Sequence, residues 1–135
     1  MDSLVRFGVA IPEGLLEEFD QFVRRKGLPN RSKALRQLIR ERLSREMWAK
    51  GSGTVFGTVT IVYDHAASAA TGALIALQHD HGESIICTTH VHVDHHHCME
   101  CIVLKGDAGD IRLFVDALGG VRGVQSIDLS ITSIV

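Results

Sequence analysis

The chain has little cysteine, little proline and no long apolar run. Its 135 residues include three cysteines and two prolines. No stretch approaches the roughly eighteen consecutive apolar residues that a membrane-spanning helix needs. The opening segment "MDSLVRFGVAIPEG" carries an acid at Asp2 and turns polar by Pro12, so it is a poor match to a signal peptide. Three cysteines are an odd number and too few for a disulfide scaffold. They point to a reducing compartment, here the cytoplasm, and to free thiols or metal ligands. With 45% hydrophobic and 22% charged residues, the composition is that of a globular protein of one ordinary domain or two very small ones.

Charge and histidine are unevenly distributed. Residues 1–50 hold 11 of the 14 Lys and Arg and 7 of the 16 acids, a net of +4. Residues 51–135 are net −6 and hold all eight histidines. A basic half joined to an acidic, histidine-rich half suggests two tasks. The joint is expected at "AKGSGT", residues 49–54, where glycine and serine interrupt the pattern. The domains expected are therefore residues 1–50 and 51–135.

In the basic half, Val5, Phe7, Val9 and Ile11 alternate with Arg6, Gly8 and Ala10, which predicts a strand. Pro12 ends it. "PEGLLEEFDQFVRRKG" then reads as a helix, with Leu15, Leu16, Phe19, Phe22 and Val23 at helical spacing, acids early and Arg24, Arg25 and Lys26 late. Gly27 is a stop signal. Asn30 is a candidate N-cap for a second helix reaching about Trp48, whose buried stripe is Ala34, Leu35, Leu38, Ile39 and Leu43. One strand and two helices cannot enclose a core, so this unit should dimerise. Two antiparallel copies of the strand make a ribbon of a size that fits the DNA major groove. The start of the second helix, "NRSKALR", offers amide donors, Arg31 and Ser32 to a phosphate. The plainer alternative is a dimerisation module with a solvated basic face. The order of strand, amphipathic helix and G-x-x-N-R-S turn resembles the ribbon-helix-helix repressors. That resemblance implies that Arg6 reads a base, guanine in particular, through its bidentate fork, and that Arg31 and Ser32 sit near the DNA backbone.

The acidic half reads as strand, helix, strand, strand, helix, strand over residues 54–64, 66–79, 84–93, 98–105, 107–118 and 123–132, the ferredoxin-like βαββαβ order. The fold class expected is α+β. Within it, "TTHVHVDHHHCMEC" (residues 88–101) concentrates five histidines and two cysteines. His90 and His92 alternate with valines, which puts them on one face of a strand, about 7 Å apart at Cα. "DHHH" lets the chain reverse, and Cys98 on the returning strand can face both imidazoles. A fourth ligand has to come from elsewhere; His79 and His81 are the candidates. Imidazole and thiolate disfavour calcium and magnesium and suit Zn(II), Ni(II), Cu or Co(II), among which spacing alone does not choose. Cys101 points to the opposite strand face from Cys98 and reads as a core thiol. His95, His96 and His97 fit a solvated turn at least as well as a ligand set.

A ribbon-helix-helix unit followed by "HVHVDHHHC", with "QH" ending the preceding helix and "LKGDAGD" after the hairpin, strongly resembles the NikR family of nickel-responsive transcriptional regulators. The resemblance covers nearly the whole chain. It implies an ACT-type regulatory domain and a homotetramer built as a dimer of dimers. It also implies one square-planar Ni(II) per subunit, with His90, His92 and Cys98 from one subunit and His79 from a neighbour. Glu100 and Tyr63 are expected to orient ligands, and His65 and His81 to belong to weaker metal sites. The partner implied is double-stranded operator DNA with palindromic half-sites; no membrane and no organic substrate are implied. Two departures stand out. Gly8 and Ala10 make no side-chain hydrogen bond to bases, which leaves Arg6 and DNA shape to carry readout. Lys33 and Gln37 occupy positions where some members place acids of a potassium site, so that cation site is expected to be lost or altered.

The expected function is a Ni(II)-dependent repressor or dual regulator of nickel uptake and nickel-enzyme genes, and not an enzyme. The alternative from the residues alone is a metal buffer or chaperone without sequence-specific DNA binding. A metal-dependent hydrolase fits less well, since it needs an open coordination position and a general base.

Overall fold

The computed structural model describes residues 2–67 and 69–134. Two compact units divide between Ile39 and Arg40, inside one continuous helix.

In the first unit, helix α1 (Glu13–Arg25) starts just after Pro12, whose carbonyl accepts from the Leu16 N–H at 3.0 Å. It stops at Gly27, which takes φ +65°. The Gly27 and Leu28 N–H groups return to the Arg24 and Val23 carbonyls, satisfying helix-end acceptors in the way a left-handed glycine permits. Helix α2 (Arg31–Lys50) follows at once, capped by the Asn30 side chain, which accepts from the Lys33 N–H at 2.8 Å. The strand expected over residues 4–11 does not form within the single chain: residues 2–12 have no strand assignment. A strand needs a partner ladder, and the first unit offers none. Its alternation is nonetheless intact and uncovered, with Val5, Phe7 and Val9 each more than half exposed. The expected buried stripe of α2 is likewise closed only at Ala34; Leu35, Leu38, Ile39 and Leu43 stay 36–46% exposed.

The second unit contains strand β1 (Thr54–Asp64), helix α3 (Ala70–Asp80) and a short 3-10 turn (Gly82–Ser84). Strands β2 (Ile85–His92) and β3 (His97–Asp107), helix α4 (Ala108–Gly119) and strand β4 (Val124–Thr132) follow. The sheet order is β2-β3-β1-β4 and every pairing is antiparallel, the expected ferredoxin-like arrangement. Period-two alternation sends Val55, Val59, Ile61 and Tyr63 of β1 and Cys98, Ile102 and Leu104 of β3 to one face. There they form the core with Leu74 of α3 and Ile111, Phe114 and Leu118 of α4. Each such buried side chain contributes roughly 1.5–3 kcal/mol.

Local chemistry sets the boundaries. Helix α3 begins at Ala70, four residues later than expected. Asp64 first turns the chain by accepting from the Ala66 N–H at 2.9 Å, a local bond that competes with helix. Asp107 caps α4, accepting from Gly109 and Asp110 N–H at 3.0 and 3.2 Å. Gly57 is required by proximity: a Cβ there would lie 1.9 Å from the Ser130 carbonyl oxygen on β4. Among the described residues no helix is long and apolar enough to cross a membrane.

Candidate metal centre

The site is built by register. In the β2–β3 hairpin, His92 pairs with Cys98 and His90 with Glu100. On the other side of β3, Tyr63 of β1 pairs with Cys98. Because alternate residues share a face, His90, His92, Cys98, Glu100 and Tyr63 all fall on the helix-covered side of the sheet. The reversal between the strands is held by Asp94, whose carboxylate accepts from the His96 and His97 N–H groups, each at 2.8 Å. These bonds, with that to the His97 ring, hold its pKa down to about 2.

The outcome is a three-ligand cluster: one ligand atom each of His90, His92 and Cys98, all within 4.8 Å of one another. Cys98 is buried at 1% exposure, while both histidines open to solvent on the edge strand. The Cys98 Sγ lies 3.4 Å from His92 Nδ1, and the two imidazoles stand edge to face with centroids 5.1 Å apart. Two imidazoles and a thiol sulfur at this spacing are a donor set for a borderline transition ion. A sulfur rooted in the core on a strand, with both imidazoles on the paired strand, needs little further ordering to bind one.

Around the cluster lies a hydrogen-bond chain. His90 Nδ1 is 3.3 Å from Glu100 Oε1 and 3.4 Å from the Tyr63 hydroxyl. Gln78 donates to Glu100 Oε2 at 2.9 Å, and Thr88 donates to Gln78 Oε1 at 3.2 Å. Burial, with Glu100 and Cys98 nearby, pushes the Tyr63 phenol up to about 12, so it stays protonated and able to donate. Glu100 and Tyr63 were expected here; Gln78 stood in the sequence only as the first residue of the "QH" that ends the helix, with no role given, and Thr88 was given none either. Thr88 was findable, because it sits two residues before His90 on the same strand face. Gln78 was not, because its reach depends on how α3 crosses the sheet.

The other predicted residues are placed as follows. His79 is exposed in the last turn of α3 and does not join the three-ligand cluster of its own chain. His81 packs on Phe114 of α4, ring centroids 5.0 Å apart, and like His79 it is outside the three-ligand cluster of its own chain. The His65 ring is 6.2 Å from that of His92, beside the cluster. Cys101 is half-buried on the face opposite Cys98, outside the hydrophobic core, which corrects its reading as a core thiol. Arg6, Gly8 and Ala10 are exposed. Arg31 forks onto Asp20 with two bonds of 2.8 Å, which lowers the Asp20 pKa and raises that of Arg31. Ser32 is exposed beside it, at the first turn of α2.

Comparison with known proteins covers both units. Residues 56–132 match the family model described as "NikR C terminal nickel binding domain". Residues 5–46 match that described as "Ribbon-helix-helix protein, copG family". A protein of Pyrococcus horikoshii named as a nickel-responsive regulator is 45% identical over 131 residues, 97% of this chain and 95% of its own. One of Chlorobium phaeobacteroides with the same name is 43% identical over 133 residues, 98% of each chain. Among solved structures, the uncharacterized protein TM1266 from Thermotoga maritima has a similar fold, with a TM-score of 0.53 at 24% identity over 58% of this chain and 96% of that one.

Proposed function

The chain belongs to the NikR family of nickel-responsive regulators, and from that premise we propose that it is a cytoplasmic, Ni(II)-dependent repressor of nickel-uptake and nickel-enzyme genes. The family is one of DNA-binding transcriptional regulators rather than enzymes. The observation that carries the proposal is the convergence of His90, His92 and Cys98 within 4.8 Å in a chain whose residues 5–46 match a ribbon-helix-helix family.

Residues 1–50 serve DNA binding and dimerisation, and residues 51–135 serve metal binding and tetramerisation. Each subunit holds one Ni(II) through His90, His92 and Cys98, and His79 of a second copy completes the set. The exposed position of His79 supports this, because its own chain gives it no place in the cluster. With Nδ1 of His90 turned to Glu100 and Tyr63, the proposed ligand atom is Nε2. When bound, Ni(II) supplies a link between ligands of two copies. The hydrogen-bond chain from Thr88 through Gln78 to Glu100 holds the end of α3 against the ligand strands, so the position of His79 depends on the geometry of the site. One assembly is thereby favoured over others, which is the requirement for a ligand to shift an equilibrium.

At the other end, the uncovered apolar face of Val5, Phe7 and Val9 calls for a second copy, whose antiparallel strand completes the ribbon. Arg6 then lies on the outward face with Gly8 and Ala10, whose small side chains allow close approach to DNA. Arg31 and Ser32 at the start of α2 meet the backbone of a palindromic operator. Arg6→Ala is expected to lower operator affinity by about 5- to 150-fold, the range of a lost bidentate base contact, with nickel binding intact. Operator affinity equal to that of the native chain would sink the assignment.

A further inference from the structure

Helix α2 ends in an unusually complete closure. Gly51, at φ +64°, sends its N–H to the Trp48 carbonyl, and Ser52 sends its own to the Met47 carbonyl, both at 3.1 Å. That is the glycine-terminated helix end again. Here a second element adds to it. Arg112 of α4 donates from one guanidinium nitrogen to the Trp48 carbonyl and from the other to the Ala49 carbonyl at 3.3 Å. Its guanidinium carbon stands 5.1 Å from the centroid of the Trp48 ring. A cation thus sits on the negative end of the helix dipole, bonded to two of its last acceptors and stacked on its last aromatic side chain.

Neighbouring contacts hold the same stretch. The Ala108 N–H, at the start of α4, donates to the Gly53 carbonyl at 2.9 Å. Higher up α2, the buried Ser44 and Ser133 hydroxyls lie 2.6 Å apart, and Ser133 N–H reaches the Ser44 oxygen at 3.2 Å. Residues 49–54 are therefore not a loose tether. The second half of α2 is bolted into the metal-binding unit, and the same unbroken helix runs on into the first unit.

Helix α4 also touches the metal side of this unit. Two residues after Arg112, Phe114 packs on the His81 ring at 5.0 Å, just beyond α3, where Gln78 bonds Glu100 and His79 stands. One rigid helix thus has contacts with both the end of α3 and the end of α2.

We infer that Arg112, seated on Trp48, is the positioning residue that couples the metal centre to α2 and through it to the DNA-binding unit. This rests on the regulatory reading above. Without the clamp, nickel binding still orders the cluster, but a change at α3 and α4 is no longer passed to the end of α2.

The test is operator affinity measured with and without nickel for the native chain, R112A and R112K. Nickel stoichiometry and the thiolate charge-transfer band are recorded alongside, and Trp48, the single tryptophan, reports the clamp by its emission. The native chain is expected to bind DNA at least fivefold tighter with nickel, the lower bound of ordinary allosteric coupling. In R112A the Trp48 emission shifts to the red, nickel binds with native stoichiometry and band, and the affinity ratio falls toward one. R112K, which keeps the charge but not the two-pronged fork, gives an intermediate ratio. A native ratio in R112A with the emission shifted overturns the inference, as does a ratio lost only because nickel no longer binds. Should R112A not fold, R112K decides: a native ratio there overturns it equally. A native chain that ignores nickel sinks the regulatory reading itself, a result distinct from a responsive native chain matched by R112A.

Discussion

At the residue scale the site rests on a few side chains whose roles follow from strand geometry. Cys98 is a buried sulfur with two exposed imidazoles opposite it. Glu100 sits beneath His90 with only 12% of its side chain exposed, and its second oxygen is taken by Gln78. A carboxylate placed so fixes the imidazole ring and makes it a better donor. Glu100→Ala is therefore expected to weaken nickel binding about 10- to 100-fold, the usual cost of removing such a partner. Competition against a chelator of known affinity checks it, and a shift under threefold would leave Glu100 without a role at the metal. Much of this site was legible in the sequence. H-x-H fixes two imidazoles on one strand face, and a cysteine after a short reversal must return close by. The contact of Gln78 with Glu100 was not legible, because it depends on how a helix crosses a sheet, which no spacing rule encodes.

At the element scale, the second unit followed its pattern closely. The β1 limits, residues 54–64, agree with the alternation, and the other strands and α4 lie within a residue or two of it. The start of α3 did not, because the Asp64 side chain bonds the next turn before the helix begins. The N-terminal strand is a different kind of miss. Its alternation is real, but no strand of the first unit lies beside it, so among the described residues it stays unpaired. The central sheet carries a sharper constraint at Gly57, where β1 and β4 approach too closely for any side chain. Gly57→Ala must push the strands apart, and a loss of about 1–3 kcal/mol is expected, the range of overpacked sites. Chemical denaturation measures it, and an unchanged midpoint would mean the sheet yields without cost.

At the scale of the whole molecule, two features bear on the proposed assembly. The first unit leaves an apolar strand and helix stripe uncovered. The second leaves a three-ligand centre open, with His79 outside it. If His79 of one copy closes the centre of another, complementation follows. His79→Ala and Cys98→Ala chains should each bind nickel poorly alone. Mixed after unfolding and refolding together, they should regain part of the sites, because some centres then draw an intact triad from one chain and an intact His79 from the other. No recovery would place the fourth ligand within the chain or in solvent. If metal at this centre governs DNA binding by the N-terminal unit, the most direct measurement is a titration of operator DNA by apo protein and by protein with one equivalent of Ni(II). Nickel is expected to tighten binding at least fivefold, a common floor for allosteric coupling, and Cys98→Ala to abolish both the gain and the thiolate-to-metal band. A native protein that shows the band while its DNA affinity stays fixed would contradict this coupling.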